Sequence, residues 1–396
     1  MGRKTTKIIL IGLWSVLLCV LLWAGLCDLV IPDTLALATG EEIPSYPCIS
    51  LVYEEENGGE LGQAQTMSAR LFGVVSLKKI EVKDYSGLRL VPSGQTLGVR
   101  LTADGVCVVG IAEVEGEGKH QSPAAAAGLV PKDMILAVND SPVRTVADVK
   151  AIVESSGGAP LKIRYQRGAE TRETTLTPLK CATDGKYKTG MWIKDSATGI
   201  GTVTFVDPRT GEFGALGHGV CDEGGVLLPL SRGVVTDAVV SDVVKGKKGT
   251  PGELHGYLKP GKTGVLTKNT ECGVFGAFAT PPTGEALPIG TRAEIKTGKA
   301  TLRTMLDGAA PTDYEIEIVQ IHDKTANKSF TVRVTDARLL EKTGGIVQGM
   351  SGSPIIQNGK LVGAITHVMI SDPTSGYGIF IENMLNAANN PMAKAS

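Results

Sequence analysis

From about residue 88 onward, apolar and polar positions alternate in short runs that are separated by turn residues. Residues 96–101 and 105–113 alternate in this way, and the runs 199–207 and 212–216 flank a PRTG turn. Alternation with a period of two predicts half-buried strands, and many short strands joined by turns are typical of barrels. We therefore expect a mainly β protein whose largest region, after residue 185, is a β-barrel or a pair of barrels.

Two predicted helices interrupt the strands. Residues 122–129 begin with a serine cap and a proline at the first helical position, and residues 146–155 are amphipathic. With the strand 133–140, this order resembles a PDZ domain of the bacterial protease-associated kind, and we place that domain at residues 86–182. The resemblance implies that the C-terminal carboxylate or tail of a peptide binds at a loop formed by Thr96, Leu97, Gly98 and Val99. The alternative is a small β-domain with no ligand.

The N-terminal region carries a candidate membrane segment. Residues 8–27 are uncharged and mostly apolar, about the length of a membrane-spanning helix. Basic residues precede this run and acidic residues follow it, which predicts a cytoplasmic stub and transmembrane anchor at residues 1–30 and an extracytoplasmic bulk. The alternative is a cleaved signal peptide with its site at residues 36–38, farther from the apolar run than usual. We expect residues 31–85 to be an extracytoplasmic linker region with a strand or two.

Composition narrows the classes of function. The chain has 40 Lys and Arg against 41 Asp and Glu and shows no basic stripe, so nucleic acid is not an expected partner. Its 50 glycines and 20 prolines among 396 residues suit strands and turns rather than a helical bundle. The cysteines match neither a disulfide framework nor a zinc site. We therefore expect no metal and no other cofactor.

Residues 348–355 (QGMSGSPI) have the form of a serine-protease nucleophile turn. Glycines around Ser351 allow its hydroxyl to face a substrate carbonyl, and the N–H groups of Gly349 and Ser351 are the expected oxyanion hole. Ser353 is the competing nucleophile, but it precedes a proline and occupies the position of a glycine in the trypsin turn.

A predicted hairpin at residues 355–366 follows this turn, as it does in trypsin-like proteases. If the hairpin is trypsin-like, the strand that binds extended substrate contains Thr366, His367 and Val368. A packed strand histidine is the alternative for His367.

A serine nucleophile needs a base, and histidine titrates in the right range. His218 lies at a predicted strand end between two glycines and is the preferred base. We expect surface positions for His120, His255 and His322. The sequence pattern alone does not identify the residue whose carboxylate would orient the imidazole. The candidates are Asp336, Asp237, Asp242 and Asp313.

The region from about residue 190 to 385 resembles the sporulation stage IV B peptidase family. The segments 214–218, 335–340, 343–360 and 372–378 carry the resemblance. It implies a trypsin-like serine endopeptidase domain over residues 183–396. By that resemblance the catalytic triad is His218, Asp336 and Ser351.

The same resemblance implies a role in a sporulating cell. The expected location is the space between the two forespore membranes. The expected substrates are the chain itself, within residues 39–80, and the membrane regulator of an intramembrane zinc metalloprotease. Cleavage of that regulator would trigger activation of sigma factor K. The alternative from another class is a membrane-anchored PDZ scaffold whose barrel is catalytically inactive.

Overall fold

The computed structural model describes residues 14, 31, 34–37, 43–54, 64–168, 170–221, 225, 227–308, 310–322 and 327–389. The chain divides into two compact units, residues 1–88 and 89–396. Within the described residues, no helix combines the length and apolar character needed to cross a bilayer. The predicted anchor at residues 8–27 lies outside the described residues, apart from Trp14.

The first unit contains a sheet where the sequence predicted a linker. Its described strands are β1 (Thr34–Leu37), β2 (Ile49–Tyr53), β3 (Ala64–Leu71) and β4 (Val75–Asp84), in the order β1-β4-β3-β2. Met67 and Ala69 of β3 pack with Ile80 and Val82 of β4, which gives this unit a small core of its own. The expectation of a linker is therefore wrong for these strands. The adjacent residues Lys78 and Lys79 interrupt the alternation of β4 in the sequence.

A long strand opens the second unit and belongs to two substructures. After β5 (Arg89–Pro92), the strand β6 runs over Thr96–Ile111. Its first part pairs with strands of a barrel, whereas Val106 and Cys107 pair with the region expected to form the PDZ domain. The barrel therefore begins before that region does, and the expected boundary at residue 86 is wrong.

The next elements form the small region that contains the predicted helices. In chain order they are β7 (Val114–Gly116), β8 (Lys119–Gln121), α1 (Pro123–Ala126), β9 (Met134–Val138), β10 (Ser141–Pro142), α2 (Val146–Ser155), β11 (Leu161–Arg167), β12 (Glu170–Leu176), β13 (Leu179–Lys180) and β14 (Tyr187–Lys188). Ser122 caps α1, and Thr145 and Asp148 form a reciprocal capping box on α2. Both predicted helices are confirmed.

The chain then returns to complete the first barrel. The strands are β15 (Met191–Val206), β16 (Glu212–Ala215), β17 (Arg232–Val244), β18 (Glu253–Leu258), β19 (Gly264–Thr270), β20 (Gly273–Phe278) and β21 (Leu287–Pro288). Pairings run β6-β17-β19-β20-β16-β15 and return from β15 to β6, so the ring closes. Apolar residues of these strands fill its interior.

The second barrel follows directly. Its elements are β22 (Gly298–Thr304), β23 (Thr312–Ile321), β24 (Phe330–Val334), α3 (Ala337–Thr343), β25 (Pro354–Gln357), β26 (Lys360–Met369), β27 (Asp372–Phe380) and α4 (Ile381–Asn389). The strands close in the order β22-β23-β24-β27-β26-β25 around a core of large apolar side chains. A mainly β chain with a pair of barrels is confirmed.

The four residues predicted to form the peptide-binding loop, Thr96, Leu97, Gly98 and Val99, lie instead in β6 within the first barrel. Gly98 pairs with Ile200 of β15 on one side and with Thr236 of β17 on the other. A Cβ atom at this position would lie 2.2 Å from a methyl carbon of Leu258. Because both edges of β6 are already paired here, a peptide cannot add as a strand. The assignment of the loop to these residues is wrong.

Candidate active site

An open cavity of about 800 Å³ holds the residues with catalytic potential. Ser351 and Gly349 reach it from the turn before β25, and His218 reaches it from the end of β16. His367 of β26 lines the same wall. The two barrels thus contribute the candidate nucleophile and the candidate base to one cavity.

Glycines shape the nucleophile turn. Gly349 and Gly352 adopt φ values of +97° and +95°, a region that favours glycine. A Cβ atom on Gly352 would lie 2.1 Å from the carbonyl oxygen of Thr202, so only glycine allows β15 to approach this closely. The N–H groups of Gly349 and Ser351 have no hydrogen-bond partner among the described residues. The turn therefore presents two donors of the kind that an oxyanion hole requires.

The first barrel holds this turn through β15. The N–H of Thr202 donates a 3.0 Å hydrogen bond to the carbonyl of Ser351, and its hydroxyl donates a 2.9 Å bond to the carbonyl of Gly349. The hydroxyl of Thr204 donates a 2.7 Å bond to the carbonyl of Gly352. Three carbonyls around the nucleophile are thus fixed by the neighbouring barrel.

The ring of His218 is oriented by the backbone that follows it. Its Nδ1 lies 2.9 Å from the carbonyl oxygen of Gly219. A carbonyl oxygen can only accept, so Nδ1 carries the proton and Nε2 of the neutral ring keeps its lone pair. This is the tautomer of a general base. Burial lowers the pKa of His218 below its ordinary value, and the Gly219 carbonyl opposes that change.

Close packing explains the two glycines beside His218 that the sequence singled out. A Cβ atom on Gly219 would lie 2.2 Å from Leu227 and 2.6 Å from the carbonyl of Thr270. Gly217 adopts a φ of +67°. The glycines thus let the strand end lie against the cavity wall with the ring exposed to the cavity.

The hydroxyl of Ser351 donates its hydrogen bond to the carbonyl of Thr366 at 2.7 Å rather than to His218. Thr366 is buried in β26, and its own hydroxyl donates to carbonyls of the same barrel. Attack on a substrate therefore requires the hydroxyl of Ser351 to leave the carbonyl of Thr366 and turn toward His218.

Asp336 is engaged elsewhere. It is the N-cap of α3, and its two carboxylate oxygens accept from the N–H and guanidinium of Arg338 and from the N–H of Glu315. These partners, the Arg338 guanidinium first, hold the pKa of Asp336 well below its usual range. Asp336 is absent from the wall of the cavity that holds His218 and Ser351. The structure does not bring it to His218, and the expected triad role is not supported.

The alternative residues also lie outside the cavity. Asp313 pairs with Arg303 at 2.7 Å, and the side chains of Asp237 and Asp242 lie on β17 away from the cavity wall. Ser353 is fully buried, and its hydroxyl bonds to Thr304. Of the other histidines, His120, His255 and His322 do not line the cavity. His322 is half-buried, with its Nε2 2.8 Å from the hydroxyl of Thr331, so the expected surface position is wrong for it. Ser351 is therefore the serine that the geometry exposes.

Of the three predicted substrate-binding residues, only His367 lines the cavity. Thr366 contributes its carbonyl, and Val368 packs against the core of the second barrel. The rings of His367 and His218 are 5.1 Å apart between centroids. Burial, with the positive charges of His218 and Lys328, lowers the pKa of His367 to about 4.

Glu271 lines the cavity although it carried no signal in the sequence. It lies at the tip of the β19–β20 hairpin. Sequence pattern assigns such residues to ordinary turns. Only the closure of the first barrel brings the β19–β20 tip beside His218.

The start of β15 lies against α2. Met191 and Ile193 pack against the core that includes Val149 and Val153 of α2. The carboxylate of Asp195 accepts a 2.9 Å hydrogen bond from the N–H of Val146, the first residue of α2. Both β14, through Tyr187, and the start of β15 are thus neighbours of α2.

The comparisons with known proteins agree with this architecture. The family model described as SpoIVB peptidase S55 matches residues 185–385, and a PDZ domain model matches residues 117–167. No curated protein matches the chain.

Three solved structures are similar to parts of the chain. The PDZ domain of an SdrC-like protein from Listeria monocytogenes is 21% identical, with 24% of this chain and 90% of that chain covered and a TM-score of 0.20. The active form of the Rv3671c protease from M. tuberculosis is 15% identical, with 63% and 86% covered and a TM-score of 0.30. The inactive form of the Rv3671c protease is 16% identical, with 48% and 83% covered and a TM-score of 0.28.

At these TM-scores the structural likenesses carry no argument, so membership rests on the family model. That model spans just over half of the 396 residues and contains both Ser351 and His218. The protein belongs to the SpoIVB peptidase S55 family and is a serine peptidase that contains a PDZ domain.

Proposed function

We propose that the chain is a membrane-anchored serine endopeptidase whose catalytic centre is the pair Ser351 and His218. The observation that carries this proposal is their shared cavity, together with the bond that leaves Nε2 of His218 free to accept a proton. The carbonyl of Gly219 supplies the orientation that a carboxylate supplies in a triad.

In this mechanism, Ser351 first rotates from Thr366 toward His218. Its Oγ attacks the substrate carbonyl while Nε2 of His218 takes the hydroxyl proton. The tetrahedral oxyanion lies against the N–H groups of Gly349 and Ser351. His218 then donates its proton to the leaving amine, and water hydrolyses the acyl-enzyme by the same steps.

An extended protein substrate fits the edge of β26 beside the nucleophile. The strand β26 pairs with β25 only as far as Ala364, and Ile365 bonds to the nucleophile turn. Beyond Ile365, this edge has no strand partner among the described residues. A substrate added as a strand there would run past His367, and Glu271 would add a negative charge to the cavity.

The family match supports a narrower role that we also propose. The anchor would be residues 8–27, with the catalytic unit in the space between the forespore membranes. The substrates would be the chain itself and a membrane regulator of an intramembrane metalloprotease, whose cleavage leads to activation of sigma factor K. For self-processing, the expected cleavage lies within residues 39–80, which include β2, β3 and the start of β4.

The bond from Ser351 to Thr366 is also what a catalytically inactive barrel would show, and a serine-directed probe separates the two functions. A fluorophosphonate should label the wild type and Ser353→Ala but not Ser351→Ala. Expression of the same proteins should give shortened species in the wild type and in Ser353→Ala but not in Ser351→Ala. Absence of labelling in a folded wild type would favour the inactive PDZ scaffold, and equal trimming of all three would assign the trimming to host proteases.

A further inference from the structure

The turn between β3 and β4 exposes an apolar tip in the first unit. Phe72, Val74 and Val75 are exposed by 72%, 82% and 56%, respectively. Phe72 and Gly73 adopt φ values of +49° and +74°, a conformation in which tight turns favour Asn and Gly. The turn geometry therefore gives no reason for a bulky aromatic residue at position 72.

The register of β1 places the start of this sheet at the same end as the tip. β1 lies parallel to β4, with Thr34 opposite Glu81, so the chain before Thr34 leads back toward Val75. The carbonyl of Ile31 accepts a 3.1 Å hydrogen bond from Nζ of Lys78, which lies only three residues after Val75. The apolar end of the hairpin and the start of this sheet are therefore neighbours.

The apolar run at residues 8–27 ends four residues before Ile31. Four residues span at most about 14 Å when fully extended. The end of that run is therefore held close to the tip by chain length alone.

The charged residues of β3 and β4 next to the turn are basic. Arg70 pairs with Ser76 across the hairpin next to the turn, and Lys78 and Lys79 follow on β4. The carboxylate of Glu54 is engaged by Lys79 at 2.7 Å. An apolar tip flanked by Arg and Lys suits the boundary between acyl chains and anionic headgroups.

We propose that the tip formed by Phe72, Val74 and Val75 inserts into the surface of the bilayer in which residues 8–27 are anchored. The proposal rests on the proposed anchor and adds a second, shallow contact. The two contacts would fix the direction in which the first unit leaves the membrane.

The test places the photoreactive analogue p-benzoylphenylalanine at position 72 of the full-length chain. The Ser351→Ala background prevents self-processing from removing the tip. The protein is reconstituted in vesicles of phosphatidylethanolamine and phosphatidylglycerol, and the matched control carries the analogue at Tyr53. Tyr53 is also exposed, but it pairs with Met67, about 13 Å from the tip end at 3.3 Å per residue.

Irradiation should give a phospholipid adduct on the peptide that contains position 72, and the adduct should be lost when the analogue is at position 53. Flotation with the vesicles reports the anchor separately. If the chain floats but position 72 gives no lipid adduct, the proposed contact of the tip with the membrane is wrong, while the anchor stands. The same holds if position 72 gives a protein adduct instead. A chain that does not float overturns the anchor and the tip contact together, whereas probe labelling of Ser351 in the wild type tests the peptidase independently.

Discussion

Thr202 of the first barrel and Gly349 of the second barrel are joined by a hydrogen bond of 2.9 Å from hydroxyl to carbonyl. The strand that carries Thr202 begins beside α2, where Asp195 accepts a hydrogen bond from Val146. One strand, β15, therefore contacts both the PDZ helix and the nucleophile turn. The position of the turn depends on this strand as well as on its own sequence.

Replacing Thr202 by Val should lower kcat/KM about fivefold to tenfold, because a lost hydrogen bond of this kind costs on the order of 1 kcal/mol. The backbone bond from residue 202 to Ser351 remains, so the fold should persist. Thr175→Val, at an exposed position of β12, is the matched control. Wild-type kinetics in Thr202→Val, measured on a short peptide, would show that β15 does not position the turn.

Asp336→Asn should keep most of the activity, because Asn caps a helix about as well as Asp. A triad carboxylate replaced by its amide would instead lower kcat by about 10⁴-fold. Asp336→Ala should lower the free energy of unfolding by about 1 kcal/mol through loss of the cap on α3. Peptide kinetics and thermal unfolding of both variants give the answer, and a folded but inactive Asp336→Asn protein would restore the triad.

The activity should persist to lower pH than an ordinary histidine would allow. Burial lowers the pKa of His218, and a general base acts in its neutral form, so the acid limb of kcat/KM should lie below about 6.5. The profile should be recorded with a short peptide under conditions where the protein stays folded. An acid limb of kcat/KM above pH 6.5 would indicate that a carboxylate lies beside His218 and raises the pKa of its imidazole.

Stability should depend on pH through His367. Its pKa is about 4 in the folded state against an ordinary value of 6.5, so the unfolded state binds more protons between those values. The free energy of unfolding should therefore fall as the pH is lowered from about 6.5 to about 4. His367→Gln in the Ser351→Ala background should reduce this slope in denaturant titrations. An unchanged slope would place the titrating group elsewhere.

A bulky residue at Gly98 should damage the peptidase itself. A Cβ atom there would lie 2.2 Å from Leu258 and 2.6 Å from the hydroxyl of Thr236, both in the first barrel. Gly98→Leu should therefore reduce turnover of a short peptide and of a membrane-bound substrate alike. Gly128→Leu, with nothing within 4 Å of its Cβ position but a φ of +75°, controls for backbone strain. Loss on the membrane-bound substrate alone would revive a peptide-binding role for residues 96–99.

Disruption of the contact between α2 and β15 should test whether the PDZ domain acts on the peptidase. Asp195→Ala removes the acceptor for the N–H of Val146 and should weaken the contact by about 1 kcal/mol. Because β15 continues to Thr202, which positions the nucleophile turn, kcat on a short peptide should fall, whereas KM should change less. An unaltered kcat with a lowered thermal midpoint would make Asp195 a purely structural cap.

The sequence determined the features that are local. Alternation over two residues predicted the strands, the Ser122 cap predicted α1, and the amphipathic pattern of residues 146–155 predicted α2. Glycines around Ser351 predicted the nucleophile turn. Each of these depends on residues within a few positions of one another, where propensity and steric limits act directly.

Only the tertiary structure decided the features that join distant segments. Closure of the first barrel placed residues 96–99 between β15 and β17, although the same residues match a PDZ loop by pattern. Asp336 follows a strand as a catalytic carboxylate can, but the start of α3 and Arg338 use both of its oxygens. Strands and charged side chains pair with whatever partner lies nearest in the folded protein. The order of residues along the chain does not show which distant segments become neighbours.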